Sequence, residues 1–171
     1  MTSQFLQTIT AQDLTTLSVQ AQASERQRLN RNLHPELADP IQRLFNALEP
    51  GTYARPHRHD ADRWECFVHL RGHLAVLVFD DAGQVLARSE LTAGQAVVAE
   101  IPGGAWHSVV ALEPGTLLFE IKPGPYSMLS DKNFAAWAPP ERHPAAVALE
   151  AWMRQAQPGQ SWNNSEEWQT P

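Results

Sequence analysis

The stretch GTYARPHRHDADRWECFVHLRG, residues 51–72, and the later stretch PGGAWH, residues 102–107, decide how this chain is interpreted. They place three imidazoles and one carboxylate at short intervals, at His57, His59, Glu65 and His107. Imidazole and carboxylate are the ligands that a borderline divalent ion prefers, whereas magnesium and calcium prefer oxygen ligands alone. If the fold brings the four side chains to one point, they form a metal site.

The local pattern predicts strands that bring these side chains together. His57 and His59 are two residues apart, so on a strand they share one face. Residues 60–62 are typical of a polar turn, and a hairpin through it puts Glu65 beside the two histidines. His107 opens a further strand after a Pro-Gly-Gly turn. In a small barrel these strand ends meet at one mouth, where four protein ligands leave positions open for water or substrate.

Short apolar stretches separated by Gly, Pro, Asp and Asn turns predict an all-β barrel or sandwich over residues 28–137. Thr10 and Asp13 are typical of the start of a short amphipathic helix, within an N-terminal segment of residues 1–27. Residues 138–171 hold a second predicted helix and a polar tail that we expect to be flexible. The sequence therefore predicts a single β domain with a short helical segment on each side.

Composition argues against several classes of function. The net charge is −6 and no basic run occurs, so nucleic acid is not an expected partner. No apolar run approaches the roughly 20 residues of a membrane span, and the N-terminus lacks the pattern of a signal peptide. Cys66 is the single cysteine, which fits a reducing compartment. We therefore expect a soluble cytoplasmic protein without membrane partners.

The two quoted stretches resemble the two motifs of the cupin family, Gly-x5-His-x-His-x(3-4)-Glu-x6-Gly and Gly-x5-Pro-x-Gly-x2-His-x3-Asn. Here His59 and Glu65 are separated by one residue more than in the motif, and Ala111 takes the place of the usual Asn. The leading Gly94 of the second motif also lies two residues too far from Pro102, but all four ligand residues are present. The resemblance implies a cupin jelly roll (double-stranded β-helix barrel), one divalent metal ion such as Fe, Zn, Mn or Ni, and a homodimer.

Further stretches are similar to the small WbuC-type cupin metalloproteins, at residues 30–34, 39–53, 120–126, 131–132 and 134–139. The similarity runs from about residue 1 to 140 and so covers most of the chain. Members of that family carry a short segment before the barrel and are associated with bacterial surface-polysaccharide gene clusters. The resemblance therefore implies a small, sugar-derived ligand, and it implies no particular reaction.

Three further polar residues, Tyr53, Arg55 and His69, are the predicted catalytic residues. Arg55 shares the face of the paired histidines, where a guanidinium either clamps an anion or forms an ordinary salt bridge. Tyr53 lies on that same face and His69 on the face of Glu65, and each either moves a proton or packs in the wall. A second alternating set either lines the pocket or forms a hydrogen-bonded entry strand: Asn30, Asn32 and His34.

Three functions are consistent with an open metal site. The first is a metal-dependent isomerase or epimerase that acts on a carbohydrate or sugar nucleotide in surface-polysaccharide biosynthesis, with the ion as a Lewis acid. The second is an iron-dependent dioxygenase that acts on a small molecule. The third is a non-enzymatic protein that binds a small metabolite through the metal. The identity of the metal would separate redox chemistry from Lewis-acid chemistry.

Overall fold

Two five-stranded antiparallel sheets form the body of the computed structural model, which describes residues 6–127, 132–163 and 168. The elements in chain order are α1 Ala11–Ala23, β1 Arg28–Asn32, β2 Ile41–Leu48, β3 His57–Arg58, β4 Glu65–Arg71, β5 His73–Phe79, β6 Val85–Thr92, β7 Val98–Ile101, β8 Trp106–Ala111, β9 Thr116–Pro123, β10 Asn133–Phe134 and α2 Pro144–Met153. Sheet 1 has the strand order β1-β2-β9-β4-β7, and sheet 2 has the order β10-β3-β8-β5-β6.

The two sheets pack face to face over an apolar core. Leu48 and Phe67 of sheet 1 belong to one buried cluster with Leu74, Val76 and Leu91 of sheet 2. Successive residues on a strand point to opposite faces, so each strand contributes every second side chain to this layer. Burial of one such aliphatic or aromatic side chain contributes about 1.5–3 kcal/mol. This packing confirms the predicted all-β class and is that of a jelly roll.

Helix α1 covers the outer face of sheet 1. Leu17 and Ala21 pack there against Ala47 of β2 and Leu117 of β9. Thr10 begins the helix with a capping box. The Thr10 side chain accepts from the Asp13 N–H, and the Asp13 side chain accepts from the Thr10 N–H. The predicted N-terminal helix is therefore confirmed, together with its start.

Helix α2 lies on the outer face of sheet 2. Ala146, Leu149 and Met153 form a buried cluster there with Leu77 and Phe79 of β5. The second predicted helix is thus confirmed as a layer that closes the outside of this sheet. Neither helix in the described parts of the chain is long and apolar enough to cross a membrane.

The first part of the predicted flexible tail lies along β6. The Val85 N–H donates to the Gln160 carbonyl at 2.8 Å, and the Gly159 N–H donates to the Val85 carbonyl at 2.8 Å. These backbone bonds hold the chain against an edge strand, which otherwise presents unpaired polar groups. Residues 164–167 and 169–171 of the predicted tail lie outside the described residues.

Candidate metal centre

The four predicted ligands converge where the two sheets meet. Within sheet 2, His57 on β3 pairs with His107 on β8, and their ring centroids are 4.4 Å apart. His59 follows β3, with its ring centroid 5.6 Å from that of His107. Glu65 begins β4 of sheet 1. Because β3 and β4 lie in different sheets, the hairpin predicted between them is wrong, and Glu65 reaches the histidines from the facing sheet. One potential ligand atom from each side chain lies within 4.8 Å of all the others, so the fold brings the four residues to one point.

Backbone hydrogen bonds fix the orientation of two of the imidazoles. Nδ1 of His57 donates to the Arg55 carbonyl at 3.0 Å, and Nδ1 of His107 donates to the Ala105 carbonyl at 2.9 Å. A neutral ring that donates from Nδ1 keeps a lone pair on Nε2, which is then the metal-binding atom. Nε2 of His57 is buried and has no hydrogen-bond partner among the described residues. A metal ion would supply the missing partner of this nitrogen.

Glu65 is the carboxylate of the cluster, and only 2% of its surface is exposed. Its Oε2 lies 2.9 Å from Nε2 of His107, and its Oε1 lies 3.6 Å from Nε2 of His59. Burial raises the pKa of the Glu65 carboxyl, but hydrogen bonds to His107 and His59 outweigh burial and hold that pKa well below its usual range. A carboxylate this close to an imidazole nitrogen requires a shared cation, which is either a proton or a metal ion.

The protonation state of His57 also suits a metal ligand. Burial lowers the pKa of His57 well below its usual value, and the positive charge of Lys132 lowers it further. The ring is therefore neutral at pH 7, which is the form that binds a metal. Three imidazoles and one carboxylate suit iron(II), manganese, zinc or nickel. The cluster fits one divalent transition-metal ion.

The two loops that carry the ligands are packed against each other at Gly103. A side-chain carbon at this position would collide with the backbone of Ala61. The adjacent Gly104 N–H donates to the His59 carbonyl at 3.1 Å. Close approach at Gly103 thus holds the loop before His107 against the turn that follows His59.

Gly103→Ala should therefore weaken both folding and metal binding. The backbone of Ala61 cannot move aside as a flexible side chain would, and overpacking of this kind costs about 1–3 kcal/mol. We expect a lower melting temperature and a metal dissociation constant raised about tenfold, measured by calorimetric titration. Gly94→Ala is the control, because Gly94 has no neighbour within 4 Å and its φ of +82° adds only backbone strain. Equal metal affinity in the two variants would contradict the role of Gly103.

A cavity of about 820 Å³ opens beside the cluster, and its wall includes His57 and Glu65. The inner face of sheet 1 supplies much of this wall. The polar side chains of this sheet in the wall are Arg28, Asn30, Asn32, Gln42, Asn46, Glu65, Glu120 and Lys122. His34 also lines the cavity, so all three residues of the alternating set, Asn30, Asn32 and His34, lie in the pocket wall. A cavity of this size with polar groups at fixed positions suits a small polar ligand.

Sequence reasoning did not identify Glu120 and Lys122 as site residues. Nζ of Lys122 lies 3.7 Å from Oε1 of Glu65 and 3.3 Å from Oε1 of Glu120. The amide of Asn46 donates to Glu120 at 2.8 Å. Both residues occupy inward positions of the otherwise apolar strand β9, TLLFEIKP. A charge at such a position needs partners, and that signal could have marked the pair.

Glu120 differs from Glu65 in its ionisation. Burial raises the pKa of the Glu120 carboxyl to about 7, and the negative charge of Glu65 adds to this increase, while Lys122 opposes it. A carboxyl that titrates near neutral pH can accept or release a proton under working conditions. Glu120 therefore has the properties of a general acid or base on the cavity wall.

Arg55 is the one predicted catalytic residue that lines the cavity. Its Nε donates to the Ala138 carbonyl at 3.0 Å, and its Nη2 donates to the Ala135 carbonyl at 3.3 Å. The guanidinium also lies over the ring of Phe134, 5.0 Å from the centroid. These contacts fix the side chain beside the cluster. The role of Arg55 as an anion clamp stays a prediction.

Tyr53 and His69 do not line the cavity. The Tyr53 hydroxyl donates to the Pro139 carbonyl at 2.9 Å, and burial raises the pKa of this phenol above its usual value. Nε2 of His69 donates to the Gly72 carbonyl at 2.8 Å. Both side chains are thus engaged with backbone carbonyls, and their roles in proton transfer stay predictions.

Comparison with known proteins gives similarities of fold. A family model described as a domain of unknown function, DUF6016, matches residues 9–91. No curated protein sequence matches the chain. The solved structure of protein SO0799 from Shewanella oneidensis superposes with a TM-score of 0.53 at 14% identity, over 75% of this chain and 86% of that one.

Two further solved structures are similar. CapF in complex with the inhibitor 3-isopropenyl-tropolone superposes with a TM-score of 0.52 at 17% identity, over 61% of this chain. The alignment spans only 30% of CapF. KdgF from Halomonas sp. superposes with a TM-score of 0.46 at 17% identity, over 59% of this chain and 81% of that one. At 14% and 17% identity, the superpositions on SO0799 and CapF show a shared fold and not a shared function.

The two-sheet jelly roll and its neighbours define the class of protein: the chain has the cupin fold. The buried cluster of three histidines and one glutamate lies where its two sheets meet. The all-β cupin architecture expected from the two sequence motifs is therefore confirmed, with one helix on the outside of each sheet.

Proposed function

We propose that this chain is a metal-dependent enzyme of the isomerase or epimerase type that acts on a small, anionic, carbohydrate-derived substrate in surface-polysaccharide biosynthesis. One divalent transition-metal ion would be held by His57, His59, Glu65 and His107. The observation that carries the proposal is that two of these residues, His57 and Glu65, form part of the wall of a large polar cavity. A metal site that borders a cavity can reach a bound ligand, whereas a closed structural site cannot.

The charge of the cavity wall supports an anionic substrate. The wall carries the cationic side chains Arg26, Arg28, Arg55, Lys122, Lys132 and Arg142. It carries fewer carboxylates, which are Glu25, Glu65, Glu120 and Glu141. The chain as a whole has the opposite balance, with a net charge of −6. A positive region inside an acidic protein attracts phosphate or carboxylate groups.

The polar residues of the cavity wall have separate roles in the proposed reaction. A divalent ion at this site would polarise a carbonyl or hydroxyl oxygen of the substrate. Glu120, a buried carboxyl on the cavity wall, would accept a proton from the substrate and return it. Lys122, 3.3 Å from Oε1 of Glu120, would balance the negative charge whenever Glu120 is ionised. Arg55 contributes a fixed positive charge beside the cluster.

The resemblance to WbuC-type cupins supports a carbohydrate-derived substrate, since that family is associated with surface-polysaccharide gene clusters. The same resemblance supports a homodimer. A cytoplasmic location, a small-molecule partner and the absence of nucleic-acid and membrane partners belong to the same proposal. Each follows from the composition and motifs of the sequence.

Deuterium exchange tests the proposed reaction. Metal-loaded protein is incubated in D2O with sugar phosphates, sugar acids and sugar nucleotides, and NMR follows the carbon-bound protons. An isomerase or epimerase replaces one of these protons with deuterium, and we expect Glu120→Gln to slow this exchange at least about 100-fold. Glu90→Gln is the matched control, because Glu90 lies on β6, where Arg88 and His73 are its partners.

Two other outcomes would contradict the proposed reaction. Oxygen uptake by the iron(II)-loaded protein, without deuterium exchange, would favour an iron-dependent dioxygenase. Saturable binding of a probe without exchange or oxygen uptake would favour a non-enzymatic binding protein. Both measurements use the same protein preparation and the same sugar phosphates, sugar acids and sugar nucleotides. One set of experiments therefore distinguishes the three functions.

A further inference from the structure

His34 is a buried side chain on the cavity wall, 4% exposed. Its Nδ1 lies 2.9 Å from the backbone nitrogen of Arg43 and 2.9 Å from the Arg43 oxygen. The Arg43 N–H can only donate, so Nδ1 of His34 accepts from it. The Arg43 carbonyl already accepts from the Leu33 N–H at 2.8 Å. A ring nitrogen that accepts carries no proton, and the proton of the His34 ring is therefore on Nε2.

The Nε2–H group of His34 is a buried donor for which the described residues supply no acceptor. Buried donors are nearly always paired in folded proteins. Hydrogen bonds hold the wall around His34 in place. The Gln42 amide donates to the Leu37 and Asp39 carbonyls at 3.2 and 2.9 Å. The Tyr126 N–H also donates to Leu37, at 2.8 Å. An unpaired donor in such a fixed wall, beside a cavity, points to a ligand.

His34 and the metal cluster lie at opposite ends of one row of side chains across sheet 1. Asn32 pairs with Leu44, and the chain continues along β2, where the Leu33 and His34 N–H groups contact the Arg43 carbonyl at 2.8 and 3.4 Å. The same antiparallel register brings His34 beside Gln42. Gln42 pairs with Lys122, and Nζ of Lys122 lies 3.7 Å from Glu65. Neighbouring strands are about 4.8 Å apart, so three steps separate the backbones of His34 and Glu65 by about 14 Å. A ligand that reaches both ends is longer than a single inorganic ion.

We propose that Nε2–H of His34 donates to a phosphate or carboxylate oxygen of the ligand, whose other end lies at the metal cluster. The ligand class is a monosaccharide that carries one anionic group. The inference rests on the proposed function and adds the position of the anionic group within the cavity. Lys122, between the two ends, contributes positive charge along the path of the ligand.

Two substitutions separate the two hydrogen bonds of His34. In His34→Asn the amide oxygen lies near the position of Nδ1 and still accepts from Arg43, but no group remains at Nε2. In His34→Gln the amide reaches the position of Nε2 and still donates. We expect His34→Asn to raise the dissociation constants of glucose 6-phosphate and glucuronate at least about tenfold, because a hydrogen bond to a charged oxygen is lost. His34→Gln should recover most of the affinity, and both variants should keep their metal.

Two signals recorded with the same probes test the inference. The ¹⁵N resonance of His34 Nε2–H is followed by NMR in zinc-loaded protein, and the visible spectrum of cobalt-loaded protein reports a ligand at the metal. Glucose 6-phosphate, glucuronate and uncharged methyl glucoside are added in turn. We expect at least one anionic probe to shift the His34 resonance with saturation, and methyl glucoside to leave it unchanged. The responding probe then distinguishes phosphate from carboxylate.

The possible failures are distinguishable. An anionic probe that changes the cobalt spectrum but not the His34 resonance overturns the inference and leaves the proposed function standing. A probe that shifts the His34 resonance but not the cobalt spectrum supports the binding role of His34 and overturns contact with the metal. If no probe changes either signal, then both the His34 inference and the anionic carbohydrate substrate are wrong.

Discussion

His59→Ala is expected to lose its metal, so that metal per chain falls from about one equivalent to below about a tenth in a chelator-buffered solution. Removal of a single ligand should lower the affinity at least about 100-fold, since even residues that only orient ligands contribute 10–100-fold. The His59 side chain is buried, and its ring centroid lies 5.2 Å from that of His57. Elemental analysis of purified protein after dialysis measures the effect.

The loss of metal should also appear in thermal stability. An ion at about 1,000 times its dissociation constant stabilises the folded state by about 4 kcal/mol, and His59→Ala should not gain this stabilisation when metal is added. His73→Ala is the matched control, because His73 lies on β5 and pairs with Glu90 at 2.9 Å, outside the cluster. Undiminished metal in His59→Ala would show that the ligand assignment is wrong.

A second large effect is expected in the pH dependence of metal-free protein. The pKa of the Glu120 carboxyl is about 7 in the folded state and about 4.5 in the unfolded state, chiefly because of burial. A raised folded pKa gives a stabilising contribution that is fully present below pH 4.5 and is lost as the pH rises through 7. The difference between the two pKa values corresponds to about 3 kcal/mol.

Glu120→Gln should not show this loss. The free energy of unfolding of Glu120→Gln, relative to that of the wild type, should therefore increase by about 3 kcal/mol between pH 4.5 and pH 8. Urea denaturation in the presence of chelator measures both proteins. Burial lowers the pKa of His57, which destabilises the folded state as the pH falls below 6.5, but this effect is common to both proteins and cancels in the difference.

Glu90→Gln is the control for the pH dependence of stability, because the pKa of Glu90 is shifted in the opposite direction to that of Glu120. Hydrogen bonds to Arg88 and His73 lower the pKa of the Glu90 carboxyl, so its contribution is present at high pH and lost as the pH falls. The relative stability of Glu90→Gln should therefore stay nearly constant between pH 4.5 and pH 8 and should rise only as the pH falls below 4.5. A relative stability of Glu120→Gln that does not change between pH 4.5 and pH 8 would contradict the raised pKa of Glu120.

The four ligand residues could be predicted from the sequence because they occur in two short motifs. His57 and His59 share a face through strand alternation, and the Pro-Gly-Gly turn places His107 at the start of β8. The helix start at Thr10 was predictable for a similar reason, since capping depends on residues three apart. These local features need no knowledge of which strands become neighbours. The convergence of the four ligands does need it, because β3 pairs with β8 and Glu65 lies on β4 of the other sheet.

Glu120 and Lys122 could not be assigned in this way. Their contacts exist because β9 lies between β2 and β4 in sheet 1, and these strands are far apart in the sequence. Alternation gives the face of a residue but not its neighbours, and a shift of one residue in register would reverse every face. Tyr53 shows the same limit, because its hydroxyl contacts the Pro139 carbonyl, which no local pattern specifies.

The position of the ion can be measured by anomalous diffraction from crystals of zinc-loaded protein, with data collected on both sides of the zinc absorption edge. A single ion between the two sheets should give one strong peak per chain. The peak should lie about 2.0–2.2 Å from one nitrogen of each imidazole and from a carboxylate oxygen. The expected ligands are His57, His59, Glu65 and His107. No peak at this position, or a peak only at other residues, would contradict the metal site on which the proposed function depends.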